Sequence, residues 1–227
     1  MDKYYRNEQK FWDTKGNLDY QSLSEFDQTR IAKWINWQGH GKVLDIGGGS
    51  GMISRLLNCI PDTECTCVDI SHNMLIHSSA LAVQADALSL PFKSNCFSLV
   101  VAAAFFHHLP GSEEKLLSEI NRVLIPNGYV VGYDPSALCL QNQIFMADTI
   151  FRLHSFSPDE KPVNPKTLMQ FASSTGFQDF SYHLFSFRNS QLTPFELIQR
   201  YLINPIAIGP LSPLLERWFL WRAKKKV

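Results

Sequence analysis

Val43-Leu44-Asp45-Ile46-Gly47-Gly48-Gly49-Ser50-Gly51 is the stretch that decides the reading of this chain. Val43, Leu44 and Ile46 form an apolar run of the kind that a buried parallel strand shows. Four of the next five residues are glycines, and Met52 to Leu57 then reads as a helix. Strand, glycine turn and helix together make a nucleotide-binding geometry. Glycine lets the backbone turn tightly and lets a ligand approach it, and a helix start offers unpaired N–H groups. Short glycine runs also occur in plain turns, so the downstream spacing has to carry the assignment.

That spacing is regular. Cys65 to Val68 reads as a second strand ending in Asp69, where a dinucleotide fold places its ribose carboxylate, about 20 residues past the glycines. Val83 to Ala87 reads as a third strand around Asp86. Phe97 to Ala104 reads as a fourth, and Tyr129 to Tyr133 as a fifth, followed by Asp134.

The segments VLDIGGGSG, CVDIS, QADALSLPF, FSLVVAAAFFHHL and INRVLIPNGYVVGYD, in this order and spacing, resemble the class I S-adenosylmethionine-dependent methyltransferases, nearest to their small-molecule branch. The resemblance covers roughly residues 24–185. It implies an α/β fold: a Rossmann-like, doubly wound seven-stranded sheet, mostly parallel with an antiparallel last strand, plus a C-terminal helical extension. It implies S-adenosyl-L-methionine as cofactor and transfer of a methyl group to a small-molecule acceptor, O-methylation favoured. By motif match, Asp45, Gly47, Gly49 and Gly51 lie at the methionine part. Asp69 and Ile70 serve the ribose, Asp86 and Ala87 the adenine, and Ala103 and Ala104 the amino-acid end. Nicotinamide binding is the competitor for the loop, but its G-x-G-x-x-G fingerprint lacks the last glycine here, where Met52 stands. Ser98 departs from the family, which usually has Asp after the aromatic of strand four.

For the chemistry, His107 and His108 follow strand four and Asp134 ends strand five. The resemblance implies a base–orienter pair, His107 with Asp134, in which the carboxylate would fix the imidazole tautomer. His107 is the histidine expected to face substrate, ahead of His108. A structural His-His pair is the alternative. No metal site is expected, because no paired C-x-x-C is present.

Lys+Arg and Asp+Glu are both 21, so no net field gathers nucleic acid. The five cysteines read as reduced, mostly buried thiols. The polar start Met-Asp-Lys-Tyr-Tyr-Arg reads as free of a signal peptide, and no run is long and apolar enough to span a bilayer. These features point to a cytoplasmic enzyme of unknown oligomeric state.

Residues 1–190 read as the methyltransferase domain. Within it, the aromatic segment 1–23 reads either as a lid or as a packed arm. Ser24 to Trp37 reads as a helix, and Ser71, Ser112 and Asn164 as N-caps. Residues 137–163 read as an apolar helical insertion capping the substrate pocket, and Phe177 to Phe187 as the closing hairpin. Residues 191–227 read as a helical extension. In it, residues 211–227 join Trp218, Phe219 and Trp221 to a basic end at Lys224, Lys225 and Lys226. That composition suits peripheral membrane contact and a lipid-like acceptor, or else aromatics packed on the domain with a solvated basic tail. A cofactor-binding protein without transfer activity is the remaining alternative.

Overall fold

The computed structural model describes residues 3–15, 25–78, 80–146, 157, 159–185 and 216–227. The elements are α1 (Lys3–Lys15), α2 (Glu25–Ile35), β1 (Gly41–Ile46), α3 (Met52–Asn58), β2 (Thr63–Asp69), α4 (His72–Leu75), β3 (Leu81–Gln84), β4 (Phe97–Ala103), α5 (Glu113–Val123), β5 (Leu124–Pro135), α6 (Leu140–Phe145), α7 (Pro165–Ser174), β6 (Phe177–Phe185) and β7 (Trp218–Lys225). The strands form one seven-stranded sheet in the order β3-β2-β1-β4-β5-β7-β6. Strands β1 to β5 pair in parallel, and β7 runs antiparallel to both its neighbours. The doubly wound α/β sheet expected from the resemblance is therefore present, with the chain's last strand as the antiparallel one.

Two apolar layers sandwich the sheet. Val43 packs with Ile31 and Ile35 of α2 and with Ile53 and Leu57 of α3. Leu44 and Ile46 pack with Leu116, Leu117 and Ile120 of α5 and Leu168 of α7. A strand covered on both faces has no need of alternation, which is why β1 reads as a continuous apolar run.

Local signals place several helix ends. Ser71 Oγ accepts from Met74 N at 3.2 Å at the start of α4. Asn164 Oδ1 accepts from Lys166 N at 2.9 Å, with Pro165 in the first turn of α7. Ser112 sits at the N-cap of α5 but makes no capping bond with its side chain. The acids Glu113 and Glu114 hold that first turn, where the helix dipole favours them.

The C-terminal stretch is a correction. Residues 211–227 read as part of a helical extension by sequence, yet Trp218–Lys225 is β7, inserted between β5 and β6. Phe219 and Trp221 are fully buried. The basic end is also engaged: Lys225 Nζ donates to Leu124 O at 2.8 Å and Asn121 O at 2.7 Å, and Arg222 stacks over Tyr129. The interfacial helix is not formed by these residues, so the membrane reading loses its basis there; residues 191–215 lie outside the described set. The closing hairpin is corrected too. Phe177–Phe185 is a single strand, β6, and its partner is β7 rather than the next residues of the chain. Among the described residues of 137–163, helix forms only over Leu140–Phe145, where Leu140 and Ile144 point outward, about half exposed; Ile150 and Phe151 lie outside the described residues. No described helix is long and apolar enough to cross a membrane.

Candidate active site

The glycine turn closes β1 against β2. Gly47 N and Gly48 N both donate to Val68 O, at 2.8 and 3.1 Å. Gly47 and Gly49 hold φ of 65° and 51°, the left-handed region that favours glycine. A Cβ at Gly47 would lie 2.1 Å from the Phe105 ring, and one at Gly49 would lie 2.9 Å from Met74 Cε. The turn is thus both conformationally and sterically reserved for glycine. Gly49 N donates to Asp69 Oδ2 at 2.9 Å, and Ser71 N to Asp69 Oδ1 at 2.8 Å, so Asp69 ties the loop to the end of β2. Burial raises the Asp69 carboxyl above its usual range, with those two hydrogen bonds opposing.

Asp45 stands behind the loop, fully buried. Its Oδ2 accepts from Ser54 N at 3.1 Å and Ser54 Oγ at 2.7 Å, while its Oδ1 has no hydrogen-bond partner. Burial pushes this carboxyl up to about 7, against the Ser54 bonds.

A cavity opens at the carboxyl ends of β1, β2 and β4. That is where open parallel sheets bind ligands. Of the expected cofactor residues, Asp45, Gly47, Gly49, Asp69, Ile70, Ala87, Ala103 and Ala104 line it. Gly51 and Asp86 do not. Gly51 is the left-handed N-cap of α3, and Asp86 caps a local turn by accepting from Leu88 N at 2.8 Å. Ala104 has φ of 52°, an uncommon state for a residue with a Cβ, and it turns the chain off β4 beside the cavity.

The structure separates the two histidines. His107 and Asp134 do meet: Nδ1 lies 3.0 Å from Oδ1. The pair is buried away from the cavity, however, and His107 is not among its lining residues. Trp221 Nε1, from β7, donates to Asp134 Oδ2 at 3.2 Å, and His107 N donates to Oδ1. Burial lowers His107 to about 3 and raises Asp134 to about 7, so the His107 ring is neutral, with its Nδ1 facing Asp134 Oδ1. His108 is the histidine on the cavity wall. Its Nδ1 lies 3.1 Å from Glu160 Oε1 and 3.4 Å from Glu8 Oε2. Burial alone would depress its pKa; the bonds and charges of Glu160 and Glu8 outweigh this and push it up to about 10. His107, His108 and Glu160 bring donor atoms within 4.8 Å of one another. The His108–Glu160 ion pair and the packing of the two imidazole rings, with centroids 4.1 Å apart, account for this grouping.

Glu8 and Trp12 of α1 complete the wall, together with Phe105 and Tyr133. Trp12 packs edge-on against His108 with centroids 5.4 Å apart. Among these, sequence reasoning singled out only Trp12, as part of the aromatic lid segment. Glu8 and Glu160 carried no signal, because the partner they share, His108, lies far from each of them in the chain.

A family model described as "Methyltransferase domain" matches residues 44–132. The chain is 32% identical over 128 residues to a malonyl-[acyl-carrier protein] O-methyltransferase of Geobacter sulfurreducens, covering 50% of this chain and 48% of that protein. It is 31% identical over 117 residues to the ubiquinone/menaquinone biosynthesis C-methyltransferase UbiE of Cereibacter sphaeroides, covering 46% of each. The match thus spans about half the length of these curated relatives. A crystal structure of a SAM-dependent methyltransferase from Archaeoglobus fulgidus superposes with a TM-score of 0.67 at 25% identity, covering 99% of this chain and all of that one. The strand order, the glycine turn with Asp45 behind it and Asp69 across from it, and these likenesses agree: the chain carries a methyltransferase domain on the class I S-adenosylmethionine-dependent methyltransferase fold.

Proposed function

We propose that this protein moves the methyl group of S-adenosyl-L-methionine to a small-molecule acceptor. The carrying observation is the cavity, where a glycine-reserved turn, the buried Asp45 and the half-buried Asp69 run into a wall of aromatic rings and His108. The residues present suit the cofactor. Gly47 and Gly49 leave room along the turn, Asp69 offers carboxylate oxygens at the end of β2, and the orphaned Asp45 Oδ1 lacks a donor that the cofactor's ammonium can supply. When bound, the cofactor brings an activated methyl; the chain's own task is to hold the acceptor in line with it.

The acceptor then lies against Trp12, Phe105, His108 and Tyr133. His107 and Asp134 support that wall from behind rather than touching substrate. His108, held protonated between two glutamates, is a donor and not a base near neutral pH. This supports catalysis by positioning, with an acceptor that is nucleophilic without prior proton removal by the enzyme. It weakens the grounds for O-methylation of a hydroxyl and leaves a carboxylate oxygen, an amine or an activated carbon as acceptor. The test is transfer of labelled methyl from S-adenosylmethionine into a small-molecule extract. No incorporation, despite tight cofactor binding, would favour a binding protein without transfer activity.

Cofactor affinity should depend on pH through Asp45. Its pKa is raised to about 7 in the empty protein, and pairing with an ammonium favours the charged form. Affinity for S-adenosylhomocysteine should therefore fall about tenfold per pH unit below about 7 and level off above it. Asp45→Asn should flatten this dependence in calorimetry between pH 5.5 and 8.

A further inference from the structure

Methyl transfer as described makes no use of Glu160. Glu160 is almost fully buried and does not line the cavity, yet it reaches the cavity through two others. Its Oε1 lies 3.1 Å from His108 Nδ1 and accepts from Ser157 N at 3.0 Å. Ser157 Oγ donates to Glu8 Oε1, and Glu8 Oε2 accepts from Trp12 Nε1 at 3.2 Å. One chain of contacts thus joins the segment around 157–160 to the turn after β4 and to α1, which supplies Glu8 and Trp12 to the cavity. At its far end α1 is bonded a second time: Asp13 O accepts from Asn73 Nδ2 at 2.9 Å, and Asp13 Oδ1 accepts from Ser71 Oγ.

We infer that Glu160 is a positioning residue for cofactor binding: acting through His108 and Glu8, it latches α1 across the cavity. This rests on the cavity being the cofactor site. Two carboxylates converge on one ring nitrogen, and like charges so placed repel unless a proton lies between them. With the His108 proton in place, Glu8 is drawn inward and α1 with it. Without Glu160, the ring is held from one side only, and Glu8 loses both the oriented imidazolium and the Ser157 hydroxyl that Glu160 helps to place. The charged groups facing His108 are Glu8 from α1, Glu160, Asp69 from the end of β2 and Asp134 from the end of β5, with the neutral His107 ring 4.1 Å away. The surroundings are acidic on every side, so the ring stays protonated in the closed state.

The experiment compares the full chain with Glu160→Gln by three readouts. These are affinity for S-adenosylhomocysteine at pH 7.5, tryptic cleavage within α1 at Arg6 and Lys10, and the His108 imidazole titration by NMR. Glu160→Gln should weaken binding about tenfold, lower the His108 midpoint by about a unit and speed cleavage in α1 without exposing the sheet. Bound S-adenosylhomocysteine should restore protection of α1. Should Glu160→Gln fail to fold, Ser157→Ala is the substitute, with a smaller loss of affinity and the same α1-selective cleavage. Unchanged affinity and unchanged α1 cleavage overturn the inference. So does cleavage that rises equally across the chain, which is simple destabilisation. Zn²⁺ or Fe²⁺ binding that is lost in Glu160→Gln also overturns it, by putting an ion where the proton is placed here. A wild-type chain that binds no S-adenosylhomocysteine refutes the cofactor reading instead, and the cleavage comparison still decides whether Glu160 holds α1.

Discussion

Gly49→Val should abolish binding of S-adenosylhomocysteine while leaving the sheet folded. Gly49 has φ of 51°, where a β-branched residue is a genuine outlier. The conformational cost alone is about 1–2 kcal/mol. That lies within the margin of a domain whose total stability is about 5–15 kcal/mol. The effect on binding is larger because three things happen at one place. The new Cβ meets Met74 Cε at 2.9 Å, the two further methyl groups enter the cavity, and relief of the strain moves the N–H that Asp69 Oδ2 accepts. Affinity should drop by about 100-fold or more, roughly 3 kcal/mol. Calorimetry and a thermal melt together check it. A dissociation constant within tenfold of the parent would remove the loop from the binding site.

Trp221→Ala should cost the fold itself. The indole is fully buried in β7, edge-on to Phe106 at 5.1 Å and stacked on Phe180 at 6.1 Å. It lies so close to β5 that a Cβ on Gly132 would come within 2.7 Å of its ring. Truncating a buried tryptophan costs about 3–5 kcal/mol. Here Asp134 Oδ2 also loses its donor, adding about 1–3 kcal/mol for an unsatisfied buried acceptor. The sum approaches the whole stability of a typical domain. Urea unfolding should therefore show a chain that is marginal or unfolded at 25 °C. A loss below about 0.5 kcal/mol, the usual size at an exposed site, would mean that these residues are a dispensable tail after all.

Only the first of these two predictions follows from sequence as well as from structure. Gly49 is legible because the features that define it lie close together in the chain. An apolar run, glycines and a helix occupy 43–57, and the next acid at a strand end is Asp69. Ser71 and Asn164 were legible for the same reason, since a cap is satisfied within three residues. The motif match makes Asp86 an adenine contact; its carboxylate accepts from Leu88 N within its own turn.

Trp218-Phe219-Leu220-Trp221 illustrates the opposite case. A short apolar run with a basic end suits a helix or a strand equally, and periodicity cannot separate them at that length. What decides is the open edge of β5, which offers a row of unpaired backbone groups to whichever segment returns to it. The sequence between β6 and β7 does not announce that return.

His107 and His108 divide along the same line. Adjacent residues in a tight turn point in different directions, and only the packed positions of Asp134, Trp221, Glu8 and Glu160 determine which ring is buried and which reaches the cavity. The sequence by itself determined the parallel sheet, the glycine turn and its two carboxylates, because strand, turn and cap chemistry acts over a few residues. Tertiary structure alone decided the last strand, the choice between the histidines and the glutamates around His108. Hydrogen bonds and charges between residues far apart in the chain leave no local pattern, and only the completed sheet brings their partners together.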